Sequence, residues 1–398
     1  MRRRFALLAI LGAVVFGGLP AMAAGNGPVD SDVLRLTRLY GLHPDQALDI
    51  YVSAVEPLKP RPTVLLIHGG SWQIGGREEW QAEATALARQ GWTAISIDYR
   101  LSPEFPWPAQ YDDVSAALGF VRARADQLGV DPARIGALGD SAGGHLAGLL
   151  GRPAGDVAPV GAVVTWSGIN DMAALTTQPQ SGGCPPSLSG CSYRGLALKV
   201  VRDLMTCTPA ACPEAYRAAS PAHNASKGSP PTFAVGSEFE GIDPAQAWAM
   251  DSSLQRAGAL SRVRIFPGKV HGRGLQPAVW TDSVRFLAAM LTPGAPAPWP
   301  APASAVTLNV PSQVTTADGA LLLEGVVRPR AMGSSVALQV RGGDGHWRTV
   351  RTTALRAGSA DTYYEQAWRP PHPGTWTWRA VWSGGGSSAV SAPRIVKV

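Results

Sequence analysis

The sequence predicts an α/β chain with a mostly parallel sheet covered by helices, joined to a small all-β sandwich. Three observations predict it. Apolar, β-rich runs alternate with helix-like stretches from Leu48 to Leu291; a proline-dense break, TPGAPAPWPAPA, follows; and the remainder carries short strand-like runs with no helix between them.

In chain order, Met1–Ala23 reads as an export leader. Arg2, Arg3 and Arg4 form a charged head, Phe5–Phe16 is short and apolar, and Ala21-Met22-Ala23 offers small residues at a cleavage site. The apolar run is too brief to span a bilayer, and no later run is long enough, so no membrane span is expected. The formal charge is +6, and loss of the three leader arginines halves it. With no Lys/Arg stripe, a nucleic-acid partner is not expected.

The α/β region is expected over residues 24–291. Leu48–Val52, Thr63–Ile67, Thr93–Ile97, Ile135–Leu138, Ala162–Trp166, Thr232–Val235 and Val263–Phe266 read as strands. Glu78–Gln90, Ala109–Leu128, His145–Leu150, Ala245–Ala257 and Val279–Met290 read as helices. Continuous apolar strands separated by helices imply parallel pairing with both faces covered. The stretch from about 172 to 220 breaks this rhythm, being rich in Gly, Pro, Ser and Cys, and reads as a cap-like insert. It holds all four cysteines, Cys184, Cys191, Cys207 and Cys212. An even count in an exported chain suggests disulfides, with the local pairs Cys184–Cys191 and Cys207–Cys212 expected. Neither pair has C-x-x-C spacing and no His stands beside them, which argues against a metal.

Residues 292–303 form the Pro-rich linker. Over 304–398, Val306–Val310, Leu321–Val327, Val336–Val340, Trp347–Thr353, Thr362–Trp368, Thr375–Trp382 and Arg394–Val398 read as strands of an Ig-like sandwich. Strand alternation puts Trp376, Trp378 and Trp382 on one face. A buried core is expected there, with an aromatic, sugar-binding platform as the alternative and a cell wall or polysaccharide as its partner.

The chemistry is carried by Gly139-Asp140-Ser141-Ala142-Gly143, a G-x-S-x-G stretch between a strand and a helix, which suits an exposed nucleophilic serine on a sharp turn. Upstream, His68-Gly69-Gly70-Ser71-Trp72 follows a strand and supplies backbone N–H groups for an oxyanion; Gly70, Ser71 and Ala142 are the expected donors. His68 is read as holding this loop. A serine nucleophile needs a base and an orienting acid. Of the downstream histidines in this region, His271 follows a strand in PGKVHGRG and is the expected base, whereas His223 precedes a strand. His145 is expected to pack beneath the serine. The acid falls among Glu238, Glu240 and Asp243 in the loop after Thr232–Val235. Trp72 and Trp166 are the expected substrate-binding aromatics. No metal or organic cofactor is expected.

HGGSW, DYRLSPEFPWPAQYDDV and GDSAGGHLAG, followed in order by WSG, CTPAAC, ASPAHNAS and PGKVHGRG, resemble the hormone-sensitive-lipase-like branch of the α/β-hydrolases and secreted bacterial esterases related to feruloyl and acetyl esterases. The resemblance covers about Tyr40 to Leu291 and implies a serine carboxylesterase or lipase-like activity on small-molecule or polymer-borne esters. It also implies that the acid stands about six residues before a glutamine, as Glu240 does before Gln246, with Asp243 as the alternative. A serine peptidase or amidase on the same fold and a non-catalytic cell-wall-binding protein are the competing functions.

Overall fold

The computed structural model describes residues 27–30, 32–55, 60–152, 158–177, 193–237, 240–266 and 269–292, and then 305–306, 308, 320–328, 334–341, 345–357, 362–384, 387–391, 393 and 394–397. The expected leader, the linker interior, Glu238, and the cysteines at 184 and 191 lie outside the described residues.

A nine-stranded sheet forms the first region, in the order β1-β2-β3-β5-β4-β6-β7-β8-β9. Its strands are β1 (Gly27–Asp30), β2 (Val33–Leu39), β3 (Ala47–Ser53), β4 (Arg61–Ile67), β5 (Thr93–Ile97), β6 (Val130–Asp140), β7 (Ala162–Trp166), β8 (Thr232–Ser237) and β9 (Ser261–Phe266). Strands β4 to β9 pair in parallel, and β1, β2 and β3 close one side antiparallel. The pair β1–β2 was not foreseen from the sequence.

The helices are α1 (Gln81–Arg89), α2 (Ala109–Ala123), α3 (Ala125–Leu128), α4 (Ala142–Leu150), α5 (Met172–Thr177), α6 (Tyr193–Met205), α7 (Pro213–Ala218), α8 (Ala245–Arg256) and α9 (Gln276–Leu291). Strand alternation splits the core into two layers. Leu65 and Ile67 of β4 face Val114, Leu118 and Val121 of α2 and Leu146 and Leu149 of α4. Val64 and Leu66 face the other way, toward Leu87 of α1 and Val279, Phe286 and Leu287 of α9. The central strands are therefore apolar on both faces, which is why they read as continuous runs rather than alternating ones.

The DYR…DDV stretch is a brace. Asp113 on α2 is buried and takes Arg100 in a two-pronged pair, Nη2 to Oδ1 at 2.7 Å and Nε to Oδ2 at 2.9 Å, plus the Arg100 N–H at 2.9 Å. Asp98 pairs with Arg77 at the head of α1. The insert folds as α5, α6 and α7, and Cys207 and Cys212 form a disulfide between α6 and α7 with Cα atoms 6.3 Å apart.

The C-terminal region is built of two antiparallel sheets. One runs β10 (Ala305–Val306), β11 (Leu321–Arg328), β15 (Thr362–Trp368), β14 (Arg356–Ala357). The other runs β13 (Trp347–Ala354), β12 (Ser335–Arg341), β16 (Thr375–Gly384), β17 (Ser387–Val390), with β18 (Arg394–Lys397) also on β16. Trp378 and Trp382 are buried among Leu321, Leu323, Val336 and Leu338, and Trp376 packs partly against them, so this aromatic row is core rather than an exposed platform. The region rests on α8 through a 2.7 Å ion pair from Arg256 Nη1 to the buried Glu324 of β11. Among the described residues, no helix is long and apolar enough to cross a membrane.

Candidate active site

The site lies at the carboxyl ends of β4, β6, β7 and β8, where an open parallel sheet leaves a crevice. Ser141 joins β6 to α4 at φ 49°, ψ −117°. That is a strained backbone for a serine, of the kind that persists only where its surroundings fix it. Here they do. The Ser141 N–H donates to Trp166 O at 2.7 Å, and Ser141 O accepts the His145 N–H at 3.0 Å. Gly143 lies against the end of β4: a Cβ there would stand 2.0 Å from Ile67 O and 2.4 Å from His68 O. Only a residue without Cβ lets α4 begin this close to the 68–72 loop.

That loop is a left-handed turn, with φ of 92°, 57° and 59° at Gly70, Ser71 and Trp72. It is closed by the N–H groups of Gln73 and Ile74 on Gly70 O at 2.9 and 3.1 Å. A Cβ on Gly70 would fall 2.0 Å from Ile74 O. The start of α4 thus packs on the end of β4 and the first residue of the 68–72 loop through Gly143. His68 stacks on Tyr99 with ring centroids 4.2 Å apart, and its Nδ1 meets Gly69 O at 2.9 Å. Tyr99 donates its hydroxyl to His68 O at 3.0 Å. Burial pushes the His68 imidazole below its usual range, which suits a neutral ring that props the loop.

His271 follows β9 and reaches back to the nucleophile. Its Nε2 lies 3.0 Å from Ser141 Oγ, and its Nδ1 lies 2.6 Å from Glu240 Oε2. Glu240 is buried and its other oxygen accepts the Ser237 N–H at 2.6 Å. Asp243, the alternative acid, instead accepts the Ala245 N–H at 2.8 Å and starts α8. His223 is engaged elsewhere, 3.0 Å from Asp171. Gln246 ties α8 to the loop after β7: its Oε1 accepts the N–H groups of Asn170 and Asp171 at 2.7 and 2.6 Å.

Both substrate-binding tryptophans expected from the sequence need correction. Trp166 is fully buried, donates Nε1 to Ser283 Oγ at 3.0 Å and packs beside Trp80. It shares the parity of Ala162 and Val164 on β7, so the strand sends it under α9 and away from the elbow. Trp72 is 2% exposed and donates Nε1 to His145 Nδ1 at 3.1 Å. His145 in turn gives its Nε2–H to Ala219 O at 2.6 Å, and burial holds it down to about 4. Trp72 is thus a buried anchor for the turn rather than an exposed substrate-facing ring.

Asp140 was not singled out in the sequence. It is buried beside the elbow, and its Oδ2 lies 2.8 and 2.7 Å from where a Cβ on Gly69 and on Gly272 would stand. It therefore sits at the seam between the 68–72 turn and the His271 loop. Burial raises its carboxyl to about 6, partly offset by nearby His271 and Arg273.

The BD-FAE family model matches residues 48–254, just over half of the chain, from β3 into α8. Esterase LipC of Mycobacterium tuberculosis (strain ATCC 25618 / H37Rv) is 32% identical over 256 residues, covering 60% of this chain and 60% of LipC. Carboxylesterase NlhH of the same strain is 45% identical over 98 residues, 24% of this chain and 30% of NlhH. The chain thus spans less than two thirds of the length of either relative. Among solved structures, a truncated carbohydrate esterase from gut microbiota superposes with a TM-score of 0.54 at 24% identity, covering 67% of this chain and 99% of that one. At that identity the likeness speaks to the fold, an α/β-hydrolase core, to which this chain adds the C-terminal β region.

Proposed function

The chain belongs to the BD-FAE family, and from that premise we propose that it is an exported serine carboxylesterase acting through Ser141, His271 and Glu240. One observation carries the reading: the continuous relay from Ser141 Oγ to His271 Nε2 at 3.0 Å and from Nδ1 to Glu240 at 2.6 Å. Ser141 Oγ attacks the ester carbonyl carbon while its proton passes to His271 Nε2. The N–H groups of Gly70, Ser71 and Ala142 receive the negative charge that develops on the carbonyl oxygen. As the carbon–oxygen bond to the alcohol breaks, His271 returns the proton to the leaving oxygen. Water then attacks the acyl-serine, giving its proton to His271, and the carboxylic acid leaves with Ser141 restored. Glu240 holds Nδ1 protonated throughout, so that Nε2 is free to accept.

The H-G-G and G-D-S-A-G stretches support a place near the hormone-sensitive-lipase-like branch. Export is supported by the leader pattern at Met1–Ala23 and by the Cys207–Cys212 disulfide, a bond that persists in oxidising compartments.

Hydrolysis of p-nitrophenyl esters from acetate to palmitate, wild type beside Ser141→Ala, tests the activity. Turnover that falls on the order of 10⁶-fold in the variant is expected, and its chain-length profile reports the depth of the acyl site. Equal turnover in both proteins, or faster cleavage of matched amides than of esters, contradicts the reading.

A further inference from the structure

Among the described residues of the base loop, Lys269, Val270 and His271 are all exposed. Two hydroxyls that the relay does not use hold the residues on either side of His271. Ser237, the last residue of β8, donates its Oγ–H to Val270 O at 2.7 Å. Ser167, just past β7, accepts the Gly272 N–H on its Oγ at 2.9 Å. These bonds seize the residues immediately before and after His271.

Both serines are buried, Ser167 just past the end of β7 and Ser237 at the end of β8. Ser141 N–H bonds to Trp166 O at 2.7 Å, and Ser167 N–H bonds to Val235 O at 2.7 Å. The ladder therefore steps from the nucleophile to Ser167 and on toward Ser237. Ser237 also gives its N–H to Glu240 Oε1 at 2.6 Å, so one residue touches the acid and the base loop together. Ser167 is held at φ 53°, a left-handed backbone that serine adopts at a cost.

We propose that Ser167 and Ser237 are positioning residues that clasp the His271 loop and set the angle from which Nε2 meets the leaving oxygen. The proposal rests on the esterase reading. Alignment of this kind is worth a great deal: a displacement of about 1 Å can cost on the order of 10²-fold in rate.

The test is kcat/KM for matched acetate esters carrying p-nitrophenol or a simple alkyl alcohol, in Ser237→Ala, Ser237→Thr, Ser167→Ala and Ser167→Gly. The Gly variant deletes the hydroxyl while relaxing the left-handed backbone. An alkyl alkoxide needs protonation as it leaves, whereas p-nitrophenolate does not. A misaimed His271 should therefore cost roughly 10–100-fold on the alkyl ester, where both of its proton transfers count, and a smaller factor on the p-nitrophenyl ester, where only the transfer from Ser141 does. Ser237→Thr, which keeps the hydroxyl, should recover the alkyl activity. Loss by the same factor on both esters, after normalisation to phosphonate-titrated active sites, would reduce the two serines to general scaffold. Wild-type values in all four variants would overturn the clasp while leaving the esterase reading intact. Wild-type activity that survives Ser141→Ala would remove both.

Discussion

Ser141 and the 68–72 turn are held by backbone packed so closely that Gly143 has no room for a Cβ, whereas Glu240 and His271 stand on loops held by a few side-chain hydrogen bonds. The first half of the site is built from two short contiguous stretches, one just after β4 and one between β6 and α4, and its tolerance is set by hard contacts between main-chain atoms. The second half joins positions 31 residues apart, and its tolerance is set by directional bonds that rearrange without unfolding anything. The two halves should therefore fail in different ways.

Gly143→Ala should break the first half most severely. The added methyl lands 2.0 Å from Ile67 O, so α4 must move off the turn and take Ala142 N–H with it. Turnover should drop to background, with a cost in stability of about 1–3 kcal/mol for the overpacking. Kinetics together with urea unfolding will show it; near-native activity would mean that the elbow is softer than its geometry. Next in size, Glu240→Gln should leave the fold intact and lower kcat by about 10⁴, because an amide can stabilise the wrong imidazole tautomer. Asp243→Asn should stay close to wild type, since Asp243 only starts α8. The reverse ranking in side-by-side assays would move the acid to Asp243.

The smallest effect probes the seam. Burial raises Asp140 from 3.8 to about 6, and lowers His145 from 6.5 to about 4. Below pH 6 the folded chain binds a proton on Asp140 that the unfolded chain does not bind until near 3.8, so this group adds stability as the pH falls through that window. His145 acts oppositely: the unfolded imidazole protonates near 6.5 and the folded one only near 4, so its contribution is lost on acidification. Asp140→Asn deletes the first response alone. The melting temperature of the variant relative to wild type should be several degrees higher at pH 8 than at pH 4. A difference that does not vary with pH would show that Asp140 takes up no proton there.

The same division explains what the sequence disclosed. The parallel strands were legible because apolar runs buried on both faces leave an unambiguous trace; Thr93–Ile97 and Ala162–Trp166 agree with the structure residue for residue. Gly139–Gly143 and His68–Trp72 were legible because their chemistry is contiguous. Helices α5 to α7 were hidden by the Gly, Pro and Cys of their surroundings, since composition over a window averages away short amphipathic turns. Trp72 and Trp166 were misplaced because nearness to a motif says nothing about which face of a strand or loop a ring takes. The parts of Ser167, which stands in the WSG stretch, and of Ser237 were not legible, because a serine that holds a peptide group of another loop looks like any other serine.

The ion pair between Arg256 and Glu324 gives the molecule a mechanical path. Helix α8 carries the C-terminal region at its far end, while its first turn holds Gln246 against the loop after β7 and begins just past the acid. A force pulling on the C-terminal region would enter the first region along this strut. Tension would then be felt at the acid loop, far from the point where it is applied.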